Sequence, residues 1–200
     1  MRIKITDTIC LDVAGENALI LYFSEKDKLQ VEAASAQEKT QKRETSISPQ
    51  INNQVQQTAQ LIQQYLAADI VDLIPSYASI LVVFDLLTID HHHLQNKIKK
   101  LLKRTNNELT NQGKLIELPV YYSLESGIDL PHIAEQAQLS VEQVIAIHQD
   151  KEYRVYAIGF APGFAYLGEV DERIAMPRLC SPRLHIPKGA VAIAVRQTAV

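Results

Sequence analysis

Gly159-Phe160-Ala161-Pro162-Gly163-Phe164-Ala165-Tyr166-Leu167-Gly168 places three glycines, one proline and three aromatics in ten residues. Glycine at this density supplies positive φ or close backbone approach, and proline removes a donor. Neither a helix nor an ordinary strand suits such a stretch, while its aromatics are too apolar for a solvated linker. The reading is a shaped, partly buried loop. Before it, Tyr153-Arg154-Val155-Tyr156-Ala157-Ile158 alternates like a strand, with Tyr153, Val155 and Ala157 on one face. After it, Pro177-Arg178, Pro182-Arg183 and Pro187-Lys188 repeat a proline and a cation every fifth residue. No helix survives those prolines, so the backbone there is extended or turning.

Outward from this centre, 200 residues with 46% hydrophobic and 22% charged content have ample material for a core. The net charge of −3 gives no reason to expect nucleic-acid binding. Cys10 and Cys180 form no Cys-x-x-Cys motif, residues 1–7 lack the apolar run of a signal peptide, and no stretch reaches transmembrane length. These features point to a cytoplasmic protein without a membrane partner.

In chain order, Leu19–Phe23 reads as a buried strand. Residues 25–47, rich in Lys, Glu, Gln, Ala and Ser with no period, read as a mobile loop. Ser48-Pro49 is an N-cap and first-turn proline ahead of Ile51, Val55, Ala59, Ile62 and Leu66 at helical spacing. Ile70–Ile74 and Ser79–Phe84 are strands joined by a turn at Pro75-Ser76. Asp90 caps a helix whose apolar face holds Leu94, Ile98, Leu101 and Leu102. A polar stretch from Asn106 to Gly113 marks a domain boundary. Beyond it come an edge strand over Leu115–Tyr122 with Pro119, two short helices capped by Asp129 and Ser140, and a last strand over residues 190–195.

Several site motifs are excluded by their own geometry. Consecutive helical residues point about 100° apart, so at most two of His91, His92 and His93 reach one ion, and no metal site is expected. Glu169 stands where a Walker lysine would follow Gly168, and Ser126-Gly127 lacks the flanking glycine of a nucleophile elbow. Arg178, Arg183 and Lys188 either converge on a carboxylate or phosphate, with glycine-loop amides as further donors, or are solvated loop cations. His148 is a general-base candidate or a capping and packing residue at a helix end. No catalytic triad can be assembled.

With these elements in order, Gly-Phe-x-Pro-Gly-Phe-x-Tyr-Leu and then Pro-Arg, Pro-Arg and Pro-x-Gly, the chain resembles the KipI/PxpB family, also called allophanate hydrolase subunit 1. His148, Tyr153, Gly159, Phe160, Pro162, Gly163, Phe164, Tyr166 and Leu167 match its pattern. So do Asp171, Pro177, Arg178, Pro182, Arg183, Pro187, Gly189, Gln197 and Thr198. Departures fall at Ala190, Ala192, Val195, Arg196 and Ala199, where the family favours serine and glycine.

The resemblance implies an α+β fold. A small α/β N-terminal domain would span residues 1–112, with 25–47 as an insertion. A cyclophilin-like β-barrel domain would span 113–200, incomplete at its C-terminal side because relatives continue past the position of Val200. It further implies the B-type component (PxpB) of an ATP-dependent 5-oxoprolinase, a hetero-oligomer with a C-type partner that works with an A-type lactam hydrolase. ATP with magnesium would belong to the assembled complex, and this chain would be inactive alone. Arg178, Arg183, Lys188 and Gln197 would then bind an anion, over a cleft loop of Gly159, Phe160, Pro162, Gly163, Phe164 and Tyr166. Two other family roles are inhibition of a sensor histidine kinase and a carboxyltransferase module in urea breakdown through allophanate.

Overall fold

The computed structural model of the protein describes residues 2–25, 48–104 and 113–200, which fall into two compact units, Met1–Gly113 and Lys114–Val200. Of the 25–47 segment only Glu25 is among the described residues, so the insertion reading lies outside them.

The first unit is a five-stranded antiparallel sheet covered by two helices. Strands β1 (Ile3–Lys4), β2 (Ile9–Val13), β3 (Ala18–Phe23), β4 (Ile70–Pro75) and β5 (Ser79–Phe84) take the order β1-β2-β3-β5-β4. Period-two alternation buries Leu19, Leu21 and Phe23 of β3 and Ile80, Val82 and Phe84 of β5 in one layer. Helix α1 (Pro49–Leu66) starts where Ser48 Oγ accepts from the Ile51 N–H at 3.3 Å. Its Val55, Ala59, Ile62 and Leu66 meet that layer, as do Leu94 and Ile98 of helix α2 (His91–Arg104). Asp90 caps α2 through its carboxylate, which accepts from the His93 N–H at 2.8 Å. Strand β2 carried no clear sequence signal, because Ile9, Cys10 and Leu11 are all buried and the alternation is lost.

In the second unit, helices α3 (Leu130–Ala137) and α4 (Val141–Gln149) form a hairpin. Gln138 turns the corner in the left-handed region at φ 55°, and Ser140 with Gln143 forms a capping box that starts α4. Strands β6 (Arg154–Ile158), β7 (Ala165–Gly168), β8 (Ala192–Ala194) and β9 (Gln197–Ala199) form an antiparallel sheet in the order β6-β7-β9-β8. A 3-10 turn at Glu172–Ile174 buries Ile174 with Ala134, Val144 and Val170, which Ile193 and Tyr153 flank. The α+β class is as expected, and the second sheet is open among the described residues rather than closed into a barrel.

Four expectations need correction. Leu115–Tyr122 is not a strand, since its backbone groups meet no neighbouring strand and Pro119 has no N–H to give. Ala165–Gly168, expected as loop, is a strand because β6 and β9 flank it on both sides. The strand expected over 190–195 is only Ala192–Ala194, which turns through Val195-Arg196 into β9. Asp129 occupies the cap position of α3 yet makes no side-chain cap bond.

Candidate functional site

Register pins the glycine loop at its base, where Ile158 pairs with Ala165. Between them the Gly159 N–H donates to Phe164 O at 3.0 Å, and the Phe164 N–H donates to Ala161 O at 3.0 Å. Both amides are thus used inside the loop. Gly163 holds φ 81°, as glycine can. Phe160 holds φ 69°, an uncommon state for a large residue, with its ring 91% exposed. That exposure corrects the partly buried reading at the loop tip, although Phe164 and Tyr166 are half-buried. The three rings form an edge-to-face ladder, with Phe160 to Phe164 centroids 5.5 Å apart and Phe164 to Tyr166 5.0 Å. Strand β6 carries a register shift between Val155 and Ala157. In this strand Tyr156 is buried and Val155 is exposed.

Residues 177–189 are exposed and belong to no helix or strand. Arg183 forms an ion pair with Asp129, whose carboxylate is turned to the guanidinium instead of the α3 amides. Among the described residues, neither Arg178 nor Lys188 makes a hydrogen bond or ion pair, and no such bond joins the three cations to the glycine loop. Gln197 is half-buried in β9, paired with Gly168 on one side and Ala194 on the other. Nearby in sequence, Arg196 spans Glu169 at 2.9 Å and Glu172 at 3.2 Å. Arg173 grips Asp171 through two guanidinium nitrogens, each at 2.9 Å, and holds that carboxyl well below the usual range.

His148 is buried, with both ring nitrogens engaged. Nδ1 lies 2.6 Å from the Tyr122 hydroxyl, Nε2 lies 3.3 Å from Thr198 Oγ1, and the Tyr153 hydroxyl donates to the His148 carbonyl at 2.9 Å. Desolvation lowers the imidazole pKa and pushes the Tyr153 phenol up to about 12. A neutral ring accepting at Nδ1 and donating at Nε2 satisfies this network. Such geometry ties helix α4, strand β9 and the residue ending the 115–122 segment together. Tyr122, Thr198 and Asp129 escaped sequence reasoning as partners, because separations of 26, 50 and 54 residues leave no spacing signal.

Among the described residues no group of three or more His, Cys, Asp or Glu side chains is placed to hold a metal ion. In the first unit, His93 pairs with Asp90 at 2.7 Å and His91 Nε2 lies 3.3 Å from Gly15 O. A shallow cleft of about 390 Å³ there is lined by Asp69, Thr88, Ile89, Asp90, His93 and Lys97, with Lys97 ion-paired to Asp69 at 2.7 Å. An ATP–magnesium site does not fit these residues. The Gly159 and Phe164 amides are spent within the loop, and among the described residues no group of three or more His, Cys, Asp or Glu side chains gathers there. No helix among the described residues is long and apolar enough to cross a membrane.

Residues 29–200 match the family described as carboxyltransferase domain, subdomain C and D. The chain is 36% identical over 164 residues to a Bacillus subtilis protein named as the B subunit of 5-oxoprolinase, covering 77% of this chain and 68% of that one. An Escherichia coli protein of the same name is 42% identical over 92 residues, 46% of this chain and 42% of its own length. A crystal structure of TTHA0988 superposes with a TM-score of 0.72 at 30% identity, covering 92% of this chain and 32% of that one. The chain thus spans about two thirds of the Bacillus relative and under half of the Escherichia coli one. Matched over most of its length and sharing the fold of a solved relative, the chain belongs to the carboxyltransferase subdomain C and D family.

Proposed function

We infer that this chain is the B-type component of an ATP-dependent 5-oxoprolinase, which opens the lactam of 5-oxoproline to glutamate at the expense of ATP. The observation carrying this reading is the 36% identity over 164 residues to a relative of that name. An amide carbonyl is a poor electrophile, and transfer of a phosphoryl group to its oxygen turns that oxygen into a leaving group. The complex therefore needs ATP, and no group among the described residues fits a magnesium nucleotide. Nucleotide and chemistry are assigned to a C-type partner and an A-type lactam hydrolase. The anion-facing role in this chain goes to Arg178, Arg183, Lys188 and Gln197, beside the loop residues Gly159, Phe160, Pro162, Gly163, Phe164 and Tyr166. His148 holds Tyr122 and Thr198 in place rather than moving protons on a substrate. Its neutral, doubly bonded ring favours that role.

The test is reconstitution. Mixed with both partners, the chain should give ATP turnover that depends on 5-oxoproline. Omitting it should reduce turnover to background, and the chain alone should give none. Full turnover without this chain would reject the assignment.

A further inference from the structure

The last part of the chain has an unbalanced charge. From Arg173 to Val200 there are five Lys or Arg residues and no Asp or Glu, in a protein of net charge −3. Three of those cations are matched inside the second unit: Arg173 by Asp171, Arg196 by Glu169 and Glu172, and Arg183 by Asp129. Arg178 and Lys188 have no carboxylate among the described residues. Between these two lie Leu184, 95% exposed, and Ile186, 69% exposed. Prolines 182 and 187 stiffen the intervening backbone, so ordering it on a partner costs less entropy. An exposed apolar pair flanked by unmatched cations on a stiffened backbone is the anatomy of a docking strap.

Within the chain one cation of this segment already has a carboxylate partner. Arg183, the middle cation, pairs with the carboxylate of Asp129, which makes no side-chain bond to the start of helix α3. We propose that residues 177–189 form a docking surface for an acidic, apolar-punctuated segment of a protein partner, with Arg178 and Lys188 meeting its carboxylates around Leu184 and Ile186. Thirteen exposed residues with apolar side chains between the cations suit a polypeptide better than a small anion. This inference rests on the reading of the chain as one component of a larger complex, and it names the anion that the cationic segment meets.

The experiment uses the full chain and its C-type partner. Binding is titrated at low and moderate salt for wild type, for Arg178→Glu with Lys188→Glu, and for Leu184→Ser. Hydrogen exchange of the wild-type complex is followed in parallel. The charge reversal should weaken binding by about tenfold or more at low salt and flatten its salt dependence. Leu184→Ser should also weaken it, and the amides of 178–188 should gain protection in the complex. If wild type binds and both variants match it within about twofold, the docking surface is wrong while the assembly reading stands. Weakening without protection at 178–188 overturns it as well. Failure of the wild-type chain to bind the partner overturns the assembly reading itself, and this inference with it.

Discussion

At the scale of single residues, His148 gives the second unit a pH dependence on the acid side of neutrality. Its folded pKa lies below the ordinary 6.5 because burial disfavours the imidazolium. Well above pH 6.5 both folded and unfolded chains hold the ring neutral, and its bonds to Tyr122 and Thr198 contribute fully. As pH falls through 6.5 the unfolded chain takes up a proton that the folded one refuses, so unfolding stability drops. Tyr153 works in the opposite direction. Its phenol is held neutral up to about 12, so its contribution persists to pH 10 and fades as pH rises beyond that. Urea melts between pH 7 and 5 should show wild type losing more stability than His148→Gln. Parallel slopes for the two would remove His148 from this account.

At the scale of elements, the β8–β9 hairpin carries visible backbone strain. Its two-residue turn puts Val195 at φ 57°, a region disfavoured for a β-branched residue by roughly 1–2 kcal/mol. The Val195 N–H donates to Met176 O at 2.6 Å, which holds the strained conformation in place. The side chain is exposed, so little packing is lost on removing it. Glycine adopts this φ freely, at an entropic cost of about 0.5–1 kcal/mol. Val195→Gly should therefore stabilise the second unit slightly, by about 0.5–1 kcal/mol, read as a rise of a few degrees in melting midpoint. A fall in midpoint would show that Val195 packs more than its exposure indicates.

At the scale of the molecule, the two units differ in how much they bury. Among the described residues, sixteen buried apolar residues form the first core and four form the second. In the second unit Leu115, Ile116, Leu118, Tyr121, Leu124, Ile128, Ile158 and Phe160 remain exposed. Hydrophobic burial supplies most of the favourable free energy of folding, so the second unit is expected to open first. Native-state hydrogen exchange in mild denaturant should find amides of β3 and β5 slowest and those of β7 and β9 faster. Addition of the partner should narrow that gap. Uniform protection across both units would contradict the ordering.

The sequence by itself determined what depends on neighbours along the chain. Ser48-Pro49, Asp90 and the Ser140–Gln143 box started their helices where expected, and the apolar period of α1 named the face it buries. Strands β3, β4 and β5 were legible from apolar runs and the turn at Pro75-Ser76. The spaced Gly-Phe and Pro-Arg motifs were enough to identify the family. Only the tertiary structure decided that Ala165–Gly168 is a strand, that Leu115–Tyr122 is not, and that Asp129 serves Arg183 rather than its helix. The physical reason is common to all three. Caps and periods are settled by bonds spanning three or four residues, whereas a strand or an ion pair exists only when a partner arrives from elsewhere in the fold.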